Sequence, residues 1–201
     1  NHGGHIRQRF CFTAPSMSVT ANCGSETQTR SLGGLRANCH QGGMEVFKAC
    51  NFKRAPHRLT DEVLQLLTAE NCPTGAMDLL LAPDQMMLQI HESIGHPLEI
   101  DRILGDERNY AGTSFVTPDM VGTFQYGSEL LNVTFDPTIP HEMASYAFDD
   151  DGLPAKKEFL IKDGLLVRAL GGVTSQHRSG LPGVANSRAC NWNRPPVDRM
   201  A

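Results

Sequence analysis

The sequence predicts an α+β fold, with mixed or antiparallel sheets and flanking helices, from three observations. Apolar runs on both sides of Asp163-Gly164 are typical of a β-hairpin, because Asp-Gly favours the tight turn between antiparallel strands. Thr60 is a good N-cap residue, and the acids Asp61 and Glu62 follow it, which indicates a helix start. Pro83 is suited to the first turn of a second helix, which leads into a histidine-containing motif.

Composition and charge limit the classes of partner. The chain has 201 residues, of which 40% are hydrophobic and 20% charged, as in ordinary globular proteins. The formal net charge is -4, and no strongly basic face is present for binding nucleic acid. No apolar run approaches the roughly 20 residues of a membrane span. We therefore expect neither nucleic acid nor a membrane as a partner.

The cysteine pattern favours free thiols. None of the six cysteines forms a C-x-x-C pair, so a zinc ribbon is not expected. They are widely spaced in a chain of ordinary size, which favours a reducing cytoplasm over a disulfide framework, the alternative that an even count leaves open. The six are Cys11, Cys23, Cys39, Cys50, Cys72 and Cys190.

Two regions are predicted along the chain. Residues 1–58 are interpreted as the strand-rich end of an N-terminal domain, and residues 59–201 as a motif-bearing α+β region. Strands are predicted in the first region over residues 9–20, 28–36 and 44–49.

The second region is predicted to alternate helices and strands. Ala76–Leu81 is a short apolar run typical of a buried strand, and Met86 and Met87 are expected in the core. Asp149-Asp150-Asp151-Gly152 is interpreted as a solvated acidic turn. The predicted elements are a helix over 60–69, a strand over 76–81, a helix over 83–95, two short strands within 115–135 around Gly122 and Gly127, and a hairpin over 158–170.

The motif that carries chemistry is His91-Glu92-Ser93-Ile94-Gly95-His96. In hydrolytic zinc sites, neutral imidazoles hold the metal and leave one position open for water. The metal acidifies that water, and a nearby carboxylate accepts its proton. The motif therefore predicts a Zn²⁺ site in which His91 and His96 are ligands and Glu92 is the catalytic base.

The five-residue spacing of the histidines needs a special backbone. A regular α-helix would separate them by about 140°. They can share one ion only if the helix widens into a π-turn or ends between them. Gly95 and Pro97 favour the second solution, a helix that ends at about Gly95. Catalytic zinc usually has three protein ligands, so a third is expected elsewhere.

Several motifs in order resemble one known family. The run His91 to Glu99, then Asp101, then Ala111-Gly112-Thr113-Ser114 resembles the TldD branch of the TldD/PmbA metalloprotease family. In that family, H-E-x-x-G-H-x-L-E-x-D precedes a G-T-S segment. The flanking segments at residues 75–81 and 148–155 are similar as well.

The resemblance implies a cytoplasmic zinc peptidase that acts on unfolded or extended peptides, as a homodimer or heterodimer of family subunits. It gives His91 and His96 the role of metal ligands and Glu92 that of catalytic base. The family's third ligand is a cysteine in a glycine-rich segment, which we expect beyond Ala201, because the context of Cys190 matches an earlier region. The chain is accordingly expected to be part of a longer protein. The alternative function is a non-catalytic assembly or peptide-binding module.

Other candidates for the site are weaker. Glu99 and Asp101 are expected either to orient a ligand histidine or to cap the next turn. His141, in a loop bounded by prolines, is expected on the surface. His177 and Arg178 are interpreted as surface residues, with contact to substrate as the alternative.

Overall fold

The computed structural model describes residues 3–33 and 39–200, which divide into two compact units. The first unit contains Arg9–Leu81 and Pro140–Met143, and the second contains the remaining described residues. The named strands pair antiparallel and are accompanied by short helices, which confirms the α+β class. The proposed division between residues 58 and 59 stays a prediction.

The first unit contains two strand pairs and two helices. The longer pair is a hairpin in which Ser18 faces Ser31 and Cys23 faces Glu26. The elements are β1 (Phe12–Thr13), β2 (Ser18–Cys23), β3 (Glu26–Ser31), β4 (His40–Gln41), α1 (Glu45–Ala49) and α2 (Ala55–Leu66), with β1 paired to β4 and β2 to β3.

The core of this unit forms around α2, because Leu59 and Val63 lie four residues apart on its buried face. Leu59 packs with Leu32 and Ala55. The predicted N-cap at Thr60 is wrong. The helix begins at Ala55, since Pro56 fits a first helical turn, and Thr60 lies inside it.

Of two strands predicted in the first unit, one is a helix and the other is present as β3. Residues 44–49 do not form a strand but contain α1. The Gly43 amide donates to the Glu45 carboxylate at 2.7 Å, and this local contact favours a helix start over an extended chain. The predicted strand over 28–36 corresponds to β3, and its last residues lie outside the described part of the chain.

The predicted buried strand Ala76–Leu81 is wrong. This segment joins none of the sheets formed by the described residues, and Leu79 and Leu80 are 76% and 98% exposed. An apolar run shows only that burial would be favourable. Whether a partner strand is present to cover it depends on the rest of the fold.

The second unit carries the motif. Its helices are α3 (Pro83–Ile90), α4 (Ile100–Ile103) and α5 (Val173–Ser179), and a π-helical turn over His91–Gly95 and 3₁₀ turns over His96–Leu98 and Pro118–Met120 add to them. Its strands are β5 (Val133–Phe135), β6 (Glu158–Lys162), β7 (Leu165–Leu166), β8 (Ser187–Arg188) and β9 (Val197–Asp198). The sheet order is β5-β6-β7, and β8 pairs with β9.

The core of the second unit lies directly behind the motif. Leu98 and Ile100 are fully buried, and Leu98 packs in a cluster that includes Ile161 and Leu166. Burying one such side chain contributes roughly 1.5–3 kcal/mol. The Leu170 amide donates to the Leu98 carbonyl, and the Ile100 amide donates to the Leu170 carbonyl, both at 2.7 Å. The chain that leaves the motif is therefore fixed to the segment that follows the hairpin.

The predicted hairpin is confirmed by β6 and β7. Asp163 and Gly164 have φ values of 49° and 78°, the left-handed conformations that this kind of two-residue turn requires. Of the two strands predicted within residues 115–135, one is found, namely β5 at Val133–Phe135. Near Gly122 and Gly127 the chain makes a 3₁₀ turn and an isolated bridge instead of a second strand.

Further expectations concern burial, cysteine pairing and membranes. Asp150 and Asp151 are exposed, but Asp149 is buried, so the prediction of a solvated acidic turn is wrong for Asp149. Its carboxylate accepts the amides of Asp151, Leu153 and Ser187. Met87 is 58% exposed, which contradicts a core position. The six cysteines are unpaired. Among the described residues, no helix has the length and apolar character needed to cross a membrane.

Candidate metal centre

A π-helical turn brings the two motif histidines together. After Ile90 the backbone widens, and the His96 amide donates to the His91 carbonyl, five residues back. The expectation that the helix ends between the histidines is wrong, because His96 keeps helical angles (φ -59°, ψ -42°) although Pro97 follows it. Since a π-turn holds one residue more than an α-turn, the five-residue spacing places both imidazoles on one side.

The resulting geometry is compact. The ring centroids of His91 and His96 are 4.5 Å apart, and the ring planes are nearly perpendicular. One ligand atom from each of His91, Glu92 and His96 lies within 4.8 Å of the others. Zinc–nitrogen bonds of about 2.0–2.1 Å allow two imidazoles to share an ion at such separations. Both imidazoles are half-buried and Glu92 is exposed, so the group opens to solvent.

Tyr126, which lies in the same unit as the π-turn, supports that turn. Its hydroxyl donates to the Ser93 carbonyl at 2.6 Å, and its ring packs against Phe115 and Phe124. Burial raises the pKa of Tyr126 to about 12, so the hydroxyl stays protonated and remains a donor. The motif spacing gave no indication of this residue, which lies 33 positions further along the chain.

Gly95 has a packing role. A Cβ at this position would overlap the Met200 side chain. Gly95 therefore leaves room for Met200 to pack on the π-turn, and its φ of -57° demands no special conformational freedom. The sequence had suggested a helix-terminating role for Gly95, which the structure does not bear out.

The Nδ1 side of His96 contacts charged groups. Glu99 Oε2 lies 3.1 Å from Nδ1 of His96, and Nη2 of Arg102 lies 3.3 Å from the same atom. Burial, with the Arg102 charge next in size, lowers the pKa of His96. The imidazole is therefore neutral near pH 7, which is the form that can bind a metal. Of the two roles considered for Glu99, contact with a motif histidine is the one the structure shows.

Two glutamates and two arginines surround this contact, and we call Glu99, Arg102, Glu107 and Arg199 the ionic box. Each arginine contacts both glutamates, at distances from 2.7 to 3.3 Å. Burial raises the pKa of Glu99 to about 7, against the opposing effect of Arg199 and Arg102. The box connects the motif to the C-terminal strand β9, because Arg199 directly follows that strand.

Asp101 does not reach the motif histidines. It pairs instead with Asp198 of β9: the Asp101 amide donates to the Asp198 carboxylate at 3.2 Å, and the Asp198 amide donates to the Asp101 carboxylate at 3.0 Å. Burial, followed by the charge of Asp198, raises the pKa of Asp101 to about 7. Ligand atoms of Glu99, Asp101 and Glu107 also lie within 4.8 Å of one another. Because arginines already neutralise the two glutamates, we interpret this acidic group as structural.

The substitution Asp101→Asn is expected to stabilise the fold more at pH 8 than at pH 5. The raised pKa means that the folded protein favours the protonated acid. Its stabilisation is therefore present below the unfolded pKa of 3.8 and is lost as pH rises towards about 7. Asparagine keeps the acceptor oxygen but carries no titratable proton, so the variant does not lose stability in this way. We expect its free energy of unfolding at pH 8 to exceed that of the parent by roughly 1–3 kcal/mol. Urea unfolding of the parent and the variant at pH 5 and pH 8 measures this difference. An equal difference at the two pH values would contradict a raised pKa of Asp101.

A cavity of about 180 Å³ lies beside the motif. Ser114, from the G-T-S segment, donates to the Pro97 carbonyl at 2.6 Å, which fixes this segment against the end of the motif. Phe115 is more than half exposed at the same place. The cavity is lined by Glu92, His96, Pro97, Arg102, Thr113, Ser114 and Phe115.

The other candidates lie on the surface, as expected. His141 is exposed and belongs to the first unit, and His177 is exposed on α5. Arg178 forms an ion pair with Asp106, at 3.0 Å for one of its two hydrogen bonds. Cys190 is exposed and joins neither ligand cluster found among the described residues.

Comparison with known proteins then identifies the family. The model of the PmbA/TldA metallopeptidase C-terminal domain matches residues 74–201, which include the whole motif and the ionic box. The chain belongs to the PmbA/TldD metallopeptidase family. The resemblance drawn from the motifs is thereby confirmed.

Relatives with known names are metalloproteases. A metalloprotease of Methanocaldococcus jannaschii is 33% identical over 155 residues, covering 77% of this chain and 32% of that protein. A metalloprotease TldD homologue of Buchnera aphidicola is 30% identical over 134 residues, covering 67% and 26%. A zinc metalloprotease TldD homologue of Saccharolobus solfataricus is 24% identical over 159 residues, covering 77% and 33%. This PmbA/TldD chain spans about a third or less of these relatives' lengths.

Solved structures share the fold. A Thermotoga maritima protein described as a modulator of a DNA gyrase superposes with a TM-score of 0.61 at 16% identity, over 90% of this chain and 38% of that one. TldE from Thermococcus kodakarensis superposes with a TM-score of 0.58 at 14% identity, over 92% and 38%.

Proposed function

We propose that this PmbA/TldD chain carries the metal site of a zinc-dependent peptidase that cleaves unfolded or extended peptides. The observation that carries the proposal is the π-turn, which gathers ligand atoms of His91, Glu92 and His96 within 4.8 Å. A chance pair of histidines five residues apart on a regular helix would diverge by about 140°. Membership in a metallopeptidase family and a relative named as a zinc metalloprotease support the same reading.

The residues present fit zinc. His91 and His96 offer two imidazole nitrogens towards one space, and the lowered pKa of His96 keeps that ring free of a competing proton. A third ligand is proposed to come from a cysteine beyond Ala201, since the described residues place no additional histidine or cysteine in this group. Zinc, when bound, lowers the pKa of a coordinated water towards ~7.

Glu92 is proposed as the general base. It follows His91 directly and lies on the solvent-exposed side of the turn, where a water beside the histidines would be in reach. A carboxylate there accepts a proton from the water and later returns it to the leaving amine. The half-buried histidines hold their positions while the exposed carboxylate faces the substrate.

An extended peptide suits the surroundings of the site. The adjoining cavity of about 180 Å³ can receive a side chain of such a peptide, and Glu92 and Phe115 at its edge are exposed to solvent. We also propose that the protein works as a homodimer or heterodimer with another family subunit, because TldE shares this fold. A cytoplasmic location remains a prediction, and the unpaired cysteines are compatible with it.

The test is zinc binding by a protein that carries this chain together with its third ligand. His91→Ala and His96→Ala are each expected to weaken zinc binding by at least about 100-fold, since each removes one of three protein ligands. His177→Ala, which removes an exposed histidine from α5, is the matched control and should leave the affinity unchanged. Competition against a coloured zinc chelator gives the affinities, and elemental analysis gives the stoichiometry.

The same experiment decides against the alternative, a non-catalytic assembly or peptide-binding module. Such a module needs no stoichiometric metal. Absence of zinc from the parent protein, or equal zinc affinity in the parent and both histidine variants, would contradict the peptidase proposal.

A further inference from the structure

We propose that Glu99 is a positioning residue that keeps the proton of His96 on Nδ1, so that Nε2 is free to bind the metal. This inference rests on the proposed zinc site. It assigns Glu99 a role through His96 and no contact with the substrate. The role depends on one carboxylate oxygen and on the groups that hold it still.

The competition at Nδ1 of His96 has two possible outcomes. Glu99 Oε2, at 3.1 Å, can only accept from a protonated Nδ1 while it is ionised, whereas Nη2 of Arg102, at 3.3 Å, can only donate to an unprotonated one. The second arrangement would place the proton on Nε2 and block that nitrogen as a ligand. The shorter of the two contacts is to the carboxylate, which favours the proton on Nδ1.

The side chain of Glu99 accepts all of its described hydrogen bonds at Oε2, the oxygen that faces His96. Oε2 receives Nε of Arg102 at 3.2 Å and Nη1 of Arg199 at 3.3 Å, besides the imidazole. Oε1 has no hydrogen-bond partner in the described structure. The side chain is 0% exposed, so water does not compete for Oε2. The two guanidinium groups hold this oxygen beside the imidazole, so the carboxylate is fixed in the place where it contacts Nδ1.

The position of Glu99 depends on the end of β9 and on the two residues that follow it. Arg199 reaches the ionic box from there, Asp198 exchanges amide hydrogen bonds with Asp101, and Met200 packs on Gly95. Three consecutive residues therefore contact the motif and the turn that follows it. This arrangement fixes the carboxylate relative to the imidazole, which a contact between flexible surface side chains would not achieve.

The test compares Glu99→Gln with Glu107→Gln. Both changes remove one buried carboxylate charge from the same ionic box and affect the same two arginines, but only Glu99 touches His96. Glu107→Gln is thus the matched control for any general weakening of the box. ¹⁵N spectra of histidine-labelled, metal-free protein report which ring nitrogen carries the proton. His96→Gln identifies the signals by their loss.

We expect the parent protein and Glu107→Gln to show His96 protonated at Nδ1, and Glu99→Gln to show a shift of the proton towards Nε2. Zinc affinity, measured separately by chelator competition, should fall about 10- to 100-fold in Glu99→Gln and less in Glu107→Gln. If Glu99→Gln unfolds, the parent spectrum still decides, because a proton on Nε2 in the parent overturns the proposal.

Equal effects of the two variants on the proton position would also overturn it, since the box as a whole would then be responsible. The spectra need no metal. A parent that shows Nδ1 protonation but binds no zinc would refute the proposed function while leaving the Glu99 contact intact, so the two failures are distinguishable.

Discussion

Replacing Glu92 by glutamine is expected to abolish peptide cleavage while zinc binding is retained. The amide has nearly the same shape as the carboxylate but cannot accept the water proton, so the loss should be about 10²–10⁴-fold in kcat. His91 and His96 are untouched, and their separation is set by the π-turn backbone. The measurement is cleavage of an unfolded protein or a labelled peptide, together with zinc content.

The matched control is Glu129→Gln, which makes the same change at an exposed acid of the same unit, outside the site. It should leave cleavage unchanged. The Glu92 carboxylate also lies within 4.8 Å of the histidine nitrogens, so it could bind the metal itself in place of acting as the base. Retained turnover would refute the assignment as base, and a loss of zinc in parallel with activity would show that Glu92 is a ligand.

The largest effect on stability is expected from Gly164→Ala. Gly164 adopts φ +78° in the hairpin turn between β6 and β7, where a side chain strains the backbone. A Cβ there would also overlap the Gln125 side chain and the carbonyl oxygens of Gly127 and Ser128. Backbone cannot move aside as easily as a side-chain end, so we expect a loss of roughly 2–4 kcal/mol in the free energy of unfolding. Denaturant unfolding measures the change.

Gly180→Ala separates the two causes. Gly180 has φ +72°, close to that of Gly164, but a Cβ there would meet no atom within 4 Å. Its substitution should therefore show only the backbone cost, about 1 kcal/mol. The difference between the two variants measures the packing cost, and equal losses would show that the close approach at Gly164 relaxes freely.

The sequence alone determined the parts of this protein that depend on neighbouring residues. Asp163-Gly164 specified the hairpin, because the turn is fixed by the dihedral preferences of two residues. Pro83 specified the start of the helix that leads into the motif. The spacing of His91, Glu92 and His96 identified the candidate metal centre and restricted the backbone to a π-turn or a helix end.

Only the tertiary structure decided between a π-turn and a helix end. Local preferences of Gly95 and Pro97 favoured a helix end, yet the turn is a π-turn that contacts Tyr126 and Met200, both distant in sequence. The exposure of Leu80 likewise depends on whether a strand lies beside it.

The surroundings of His96 show the same limit. Its partner Glu99 is three residues away and was a candidate from the sequence, but Arg199, which holds Glu99 in place, lies 100 residues further along the chain. Backbone and capping preferences act over a few residues, whereas the buried charges of the ionic box are stable only when the complete fold supplies their partners. The candidate metal-binding motif was therefore local information, whereas the geometry that brings its side chains together depended on the complete fold.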